Sequence, residues 1–315
     1  MQVWRSVAEV DTGGRPAVVT IGNFDGVHIG HRHIFAVVGE LAAHHRGWRV
    51  ALTFDPHPVR VLTPSRPFRL LTPFPERLRL FASAGLEATL ALPFDAATAA
   101  LSPQDFVERI VVAGLRAVEV VIGGNFRFGH RQAGNVDLLW ELGARLGFAV
   151  KVVEAVQFRG GVVSSTRIRN LIEQGRVSAA ARLLGRWYEI EGRVAPGRGI
   201  GRVQTVPTLN MAPYPETLPQ RGVYITETQC GGLRANSVTN IGMNPTFGAT
   251  ELHVESHFLD PPPAGWTPGE TLRVAFCHRL RDEIQFPSAE ALRARIGRDI
   301  AAARKFFAAR VFKHG

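Results

Sequence analysis

The sequence predicts an α/β protein in two parts: an N-terminal domain built on a parallel sheet, and a C-terminal small antiparallel β-barrel with a terminal helix. Three observations predict this. Up to Val153, short apolar runs alternate with segments of helical spacing, the texture of a parallel sheet with helices on both faces. From Trp187, short extended pieces recur between Gly and Pro turns, an all-β texture. The 315 residues are enough for two domains, each burying its own core.

The elements follow in order. Residues 17–21 are a buried strand. Residues 31–46 carry Ile34, Val37, Val38 and Leu41 at helical spacing. Residues 49–54 form the next strand, followed by a Pro-rich loop through Pro75, a helix over 76–84 and a strand over 88–92. Ser102, Pro103 and Asp105 supply a hydroxyl cap, a proline at N1 and an acid at the capping-box position. A helix therefore starts there, with Phe106, Ile110 and Val111 on its apolar face. A strand over 117–122, a helix over 136–146 and a strand over 148–153 complete the alternation. The right-handed crossover rule sets its handedness but not its strand order. Two short helices follow, 166–174 and 177–184, separated by Gly175 and ended by Gly185. The domain boundary falls there, giving domains 1–185 and 186–315. Extended pieces then occupy 188–194, 222–228, 237–241, 252–258 and 271–276. An amphipathic helix over 288–307 closes the chain.

Composition narrows the partners. Lys plus Arg is 37 against 27 for Asp plus Glu, a net charge of +10. The cations are spread from Arg5 to Lys313 without a dense basic run, and all but Lys151, Lys305 and Lys313 are arginines. Arginine's planar fork suits phosphate oxygens, so phosphorylated small molecules are expected rather than nucleic acid. Cys230 and Cys277 are too few for a disulfide scaffold or a zinc knuckle. Met1–Gly14 has no apolar leader core, and no uncharged apolar stretch approaches the ~20 residues of a membrane span. A cytoplasmic protein without a membrane partner is expected.

The first candidate site lies where the strand over 17–21 runs into Gly22, Asn23, Phe24, Asp25, Gly26, Val27, His28, Ile29, Gly30 and His31. In a parallel sheet, ligands bind at the carboxyl ends of the strands. The helix that follows offers unpaired N–H groups and a positive dipole end to phosphate. Gly26 and Gly30 let the backbone approach a ligand. His28 and His31 can face one ligand from neighbouring turns, donating hydrogen bonds as charge builds on phosphate oxygens. Near the domain's end, Ser164, Ser165 and Thr166 can cap a helix and meet an anion, and Arg169 can neutralise phosphates.

These residues resemble the signatures of the nucleotidyltransferase superfamily: His28, Ile29, Gly30 and His31 match its His-x-Gly-His motif, and Ser164–Arg169 its hydroxyl-rich turn with a basic helix start. The resemblance implies a nucleotidyltransferase-like, Rossmann-like domain. In it an anionic acceptor attacks the α-phosphoryl of ATP and pyrophosphate leaves, by positioning and electrostatics without a nucleophilic side chain. No Walker string is present, and Gly197, Gly199 and Gly201 lack the following helix of a dinucleotide fingerprint. Two further loops follow predicted strands: Thr53, Phe54, Asp55, Pro56, His57 and Pro58, and then Gly123 to Gly129. In the second, Phe126, Arg127 and Phe128 suit a flat ring plus phosphate.

With these loops, residues 17 to about 300 resemble bacterial bifunctional riboflavin kinase/FAD synthetases. The resemblance implies that the 22–31 loop and Ser164–Arg169 bind ATP, with Phe126, Arg127 and Phe128 on the flavin side. Asn125 stands where the family commonly has Asp; it keeps an acceptor but loses the charge.

The second candidate site is in the β-rich half. On an extended segment Thr208 and Asn210 share a face, and two neutral oxygens so placed can help hold Mg²⁺ on a nucleotide. Further on, Glu251, His253 and Glu255 alternate along one strand face, and any of them can accept a proton from a substrate hydroxyl by chemistry alone. Here the chain resembles the family's riboflavin kinase domain, whose Pro-Thr-x-Asn motif stands as Pro207, Thr208, Leu209 and Asn210. The resemblance implies that Thr208 and Asn210 serve Mg²⁺ and ATP, that Glu255 is the catalytic base, that Asn244–Phe247 lies beside the nucleotide, and that Arg281 belongs to the flavin-side loop. Thr205, Val206 and Pro261 depart from the family pattern and bear on kinase rate and flavin affinity. The expected protein phosphorylates riboflavin to FMN and adenylylates FMN to FAD, with riboflavin, FMN and ATP as its small-molecule partners. The alternatives are an FMN adenylyltransferase with a weakened or lost kinase half, a nucleotidyltransferase for another acceptor, and a binding module without turnover.

Overall fold

The computed structural model describes residues 1–195, 208–243, 252–264, 267–284 and 286–311. Contacts divide the chain into two units between Ser165 and Thr166. In the first unit, strands β1 (Gln2–Trp4), β2 (Ala17–Ile21), β3 (Trp48–Phe54), β4 (Ala88–Leu92), β5 (Ala117–Gly123) and β6 (Ala149–Val153) make one sheet. Its order is β1-β4-β3-β2-β5-β6, with every pairing parallel. β2 and β4 are buried at every position. Their near-continuous apolar runs follow from having both faces covered.

Alternation along β2 shows the two faces. Val19 joins Leu52, Leu90, Val120 and Ile122 in one core, while Val18 joins Ala51 and Val121 in the other. The second core is covered by α1 (Ile29–His45) through Phe35 and Val38 and by α3 (Phe74–Ser83) through Phe81. The first is covered by α6 (Val136–Leu146) and by the helix entered at α5 (Pro103–Asp105). Ser102 caps that helix as its spacing predicts: its Oγ accepts from Asp105 N–H at 3.0 Å. The helix continues as a π-helix over Phe106–Val112, with Phe106, Val107, Ile110 and Val111 all buried.

Several short elements escape the sequence reading. β1 is three residues long, too short for a periodic signal, yet it buries Trp4 beside β4. Within the expected Pro-rich loop, α2 (Pro58–Leu62) and the start of α3 each have proline in the first turn, where proline initiates rather than breaks a helix. α4 (Ala96–Ala100) is a short turn capped by Asp95. β7 (Gln157–Phe158) and β8 (Gly161–Val162) form a small hairpin.

The second unit takes in most of α7 (Ser165–Glu173), then α8 (Val177–Leu184) and six strands: β9 (Tyr188–Ala195), β10 (Thr208–Met211), β11 (Gly222–Cys230), β12 (Leu233–Met243), β13 (Leu252–Phe258) and β14 (Thr271–Arg281). They close an antiparallel barrel in the order β10-β13-β12-β11-β14-β9. α9 (Ala289–Val311) places Ala303, Ile300 and Phe306 against the outward residues Val223, Ile225 and Val238. Inside, a run of fully buried hydroxyls crosses three strands. Thr226 Oγ1 lies 2.7 Å from both Ser237 Oγ and Thr239 Oγ1, and Thr239 reaches Ser256 at 2.8 Å. β12 extends beyond the predicted 237–241 into residues 233–236, none of which is buried, and into Gly242 and Met243.

Candidate active sites

At the carboxyl end of β2 the chain leaves regular geometry. Phe24 has φ 51°, Gly26 φ 86° and Val27 φ 39°. Left-handed backbone is rare for phenylalanine and rarer for a β-branched residue, so surrounding contacts must impose it. They do. The buried Asp25 carboxylate accepts Leu71 N–H through both oxygens at 3.0 and 3.1 Å, and Thr72 N–H at 3.0 Å. Asp25 O accepts from Ser165 Oγ at 2.7 Å, and Asn23 O from Arg77 Nη1 at 2.8 Å. Phe24 is buried against Phe35 and Phe81. Gly22 makes room for the Phe24 ring, which a Cβ there would approach to 3.0 Å.

The loop delivers the two histidines. His28 is the N-cap of α1; its Nδ1 accepts from His31 N–H at 3.3 Å. That hydrogen bond puts the ring proton on Nε2, making Nε2 the donor nitrogen. The His28 and His31 rings stack at 3.6 Å. Gly30 leaves room for this, because a Cβ there would approach the His28 ring at 3.2 Å. α1 begins at Ile29 rather than at residue 31 because His28 serves as the cap.

The other predicted residues of this half divide in character. Phe128 is a core residue, 6 Å from Phe106, and Phe126 stacks on it at 5.4 Å. Asn125 and Arg127 are exposed. Ser164 precedes α7, which Ser165 and Thr166 open, and Arg169 follows one turn later between the buried Ile168 and Ile172.

The barrel site is built from a regular ladder. On β10, Leu209 and Met211 point into the barrel while Thr208 and Asn210 point out. In the β10–β13 register Asn210 faces Glu255 and Thr208 faces His257, so all four share the outer face. Thr208 Oγ1 lies 2.9 Å from His257 Nδ1. On the other side of β13, Asn240 also faces Glu255, and its Nδ2 lies 3.4 Å from His253 Nε2. Gly242 opposes His253 and has no room for a Cβ, which would meet the side chains of Glu283, His253 and Asn240. Burial pushes the His257 imidazole below its ordinary value, and Glu255 opposes that shift. A neutral hydroxyl and an amide beside a carboxylate suit Mg²⁺, which keeps waters and substrate phosphates among its ligands. Among the described residues no group of three or more His, Cys, Asp or Glu could by itself hold a metal ion.

Arg281 ends β14, and Asp299 of α9 holds it through Nε at 2.9 Å and Nη2 at 2.7 Å. Thr205, Val206, Pro207, Asn244–Phe247 and Glu251 lie outside the described residues, as do Gly197, Gly199 and Gly201. The sequence gives no role to Arg77, His257, Asn240 or Asp299, because their partners lie far along the chain or on neighbouring strands.

A parallel α/β unit whose first central strand feeds a histidine-capped helix, continued by a closed six-stranded barrel, defines a two-domain enzyme of nucleotide chemistry. Residues 11–167 match the FAD synthetase family and residues 184–307 the riboflavin kinase family. A bifunctional riboflavin kinase/FMN adenylyltransferase from Pseudomonas fluorescens is 36% identical over 311 residues, covering 96% of this chain and 97% of that one. The protein of the same description from Escherichia coli K12 is 33% identical over 291 residues, 92% of each chain. A solved structure described as a macrolide-efflux protein from Streptococcus pneumoniae superposes with a TM-score of 0.86 at 28% identity, covering 96% of this chain and 98% of that one. The chain belongs to the bifunctional riboflavin kinase/FMN adenylyltransferase family. Among the described residues, no helix is long and apolar enough to cross a membrane.

Proposed function

We propose that residues 186–315 phosphorylate riboflavin with ATP to give FMN and ADP, and that residues 1–185 transfer AMP from a second ATP to FMN, releasing pyrophosphate. The observation that carries the kinase reading is the register that sets Glu255 directly opposite Asn210 and beside Thr208. Glu255 takes the proton of the ribityl 5′-hydroxyl as its oxygen attacks the γ-phosphorus. Thr208 and Asn210 would hold Mg²⁺, which would supply neutralisation of charge on the nucleotide phosphates. Arg281 serves the flavin side.

In the adenylylation, the FMN phosphate attacks the α-phosphorus of ATP. His28 donates through Nε2, the tautomer set by its bond to His31 N–H, and His31 stands beside it to share the developing charge. Gly22, Asn23, Phe24, Asp25, Gly26 and Gly30 form the backbone that meets the nucleotide, with Ser164, Ser165 and Thr166. Asp25 does so as a structural anchor, since its carboxylate is engaged by Leu71 and Thr72. The role of Arg169, neutralising the β- and γ-phosphates, rests on the sequence motif. Asn125, Phe126, Arg127 and Phe128 form the flavin-side loop, in which Phe128 acts as its core anchor. Both reactions are assigned to the cytoplasm.

The test is product chromatography of purified protein with riboflavin, ATP and Mg²⁺. FMN followed by FAD is expected, and chelation of Mg²⁺ stops both. Bound but unchanged riboflavin overturns the reading. FAD from added FMN but nothing from riboflavin leaves an adenylyltransferase with an idle barrel.

A further inference from the structure

Arg77, on α3, is only 1% exposed and heads the fully buried side chains by volume among the described residues. Burying an arginine is costly, and a hydrophobic side chain of similar size would fill the same space more cheaply. Its hydrogen-bond acceptors are two main-chain carbonyls: Asn23 O, reached by Nη1 at 2.8 Å, and Phe54 O, reached by Nη2 at 3.2 Å. The guanidinium also sits over the Phe74 ring, 5.2 Å from its centroid. Asn23 lies two residues past β2 and Phe54 ends β3, so one side chain ties together the loops leaving two adjacent central strands. Burial lowers the tendency of this guanidinium to hold its proton, and the Asp25 and Asp55 carboxylates oppose that. Arginine nevertheless stays charged at neutral pH.

The consequence is geometric. In a trans peptide the C=O and the following N–H point in opposite directions. Fixing Asn23 O on Arg77 turns Phe24 N–H away from α3, immediately before the left-handed Phe24. Ser165 Oγ acts in the same way on Asp25 O and the peptide that follows it. Thr53 Oγ1 shares Asn23 O with Arg77, at 3.4 Å.

We propose that Arg77 is a positioning residue for FMN adenylylation: by holding the Asn23 and Phe54 carbonyls, it imposes the strained backbone of the loop that presents His28 and His31. The inference rests on the reading of that loop as the adenylylation site.

The full-length protein tests it through Arg77→Met, which keeps bulk without donors, and Arg77→Lys, which keeps charge with a different donor geometry. Expected for Arg77→Met is a loss of about 100-fold in kcat for FAD formation from FMN, with KM for FMN within about threefold of wild type, since misplacement weakens the transition state more than substrate binding. Arg77→Lys should recover about tenfold of that loss. Hydrogen exchange should show faster exchange of the amides of residues 23–27 in both variants, while FMN formation by the same preparations stays at the wild-type rate. Wild-type kcat with unchanged exchange overturns the proposal, as does a rise in KM at constant kcat. If Arg77→Met fails to fold, Arg77→Lys decides on the same two readouts. The double variant His28→Ala, His31→Ala is run alongside. If it loses FAD formation while the Arg77 variants keep it, only the positioning role fails. If it also keeps FAD formation, the reading of the site fails.

Discussion

The loop after β2 and the outer face of β10 and β13 are built in opposite ways. In the loop, three residues between Phe24 and Val27 take left-handed backbone, held there by groups distant in sequence. On the barrel, Thr208, Asn210, Glu255 and His257 sit on ordinary strands, and pairing alone brings them together. The first arrangement depends on hydrogen bonds from residues 46 to 140 positions away along the chain. The second depends on the facing side chains and on the register. Damage should therefore spread differently: a remote substitution can disable the loop, whereas the barrel face should tolerate change everywhere but on itself.

Four experiments press on that contrast. The largest expected effect is on the barrel. Glu255→Gln keeps shape and removes the proposed base, so FMN formation should fall by about 10³-fold while FAD formation from FMN is unchanged, read by product chromatography. Comparable losses in both would show that the two sites are not separable. Next is His28→Ala with His31→Ala, which should lower FAD formation by about 10²–10³-fold and spare FMN formation. A double variant that still made FAD at the wild-type rate would remove both histidines from the mechanism.

The third probe loosens an anchor of the loop. Asp25→Asn weakens the acceptance of Leu71 and Thr72 N–H and should destabilise the sheet unit by about 2 kcal/mol, seen in denaturant unfolding with the barrel transition unmoved. No shift would mean that the loop holds its shape without this anchor. The smallest effect concerns His257. Because burial holds its folded pKa below the ordinary 6.5, the unfolded chain binds the proton more readily. Barrel stability should therefore fall as pH drops through the ordinary value toward the folded one, and level off below it. His257→Gln should flatten that slope; an unchanged slope would assign it to other groups.

Much of this was legible along the chain wherever the signal was local. β2, β4, α6, α8 and β13 lie where periodicity and glycine stops place them, because a buried strand or a capped helix writes its own pattern within a few residues. The His28–His31 motif and the shared face of Thr208 and Asn210 were legible for the same reason. α2 and the start of α3 were missed because prolines in a loop-rich stretch read as breakers, although a first-turn proline starts a helix. β12 was read too short because residues 233–236 at its start are unburied, and Gly242 near its end reads as a turn.

Residue types and spacing alone therefore determined the parallel-sheet and barrel classes, the His28–His31 pair at a strand-to-helix junction and the shared face of Thr208 and Asn210, whereas the choice of Glu255 over Glu251 and His253 came from the family resemblance. Only the folded structure decided that Asn210 faces Glu255, that the Asp25 carboxylate is engaged by backbone amides and that a buried arginine grips the loop. Periodicity records what a residue shares with near neighbours. Strand register and long-range hydrogen bonds join residues 45 to 54 positions apart, as Asn210 with Glu255 and Arg77 with Asn23, and no local pattern encodes such a partner.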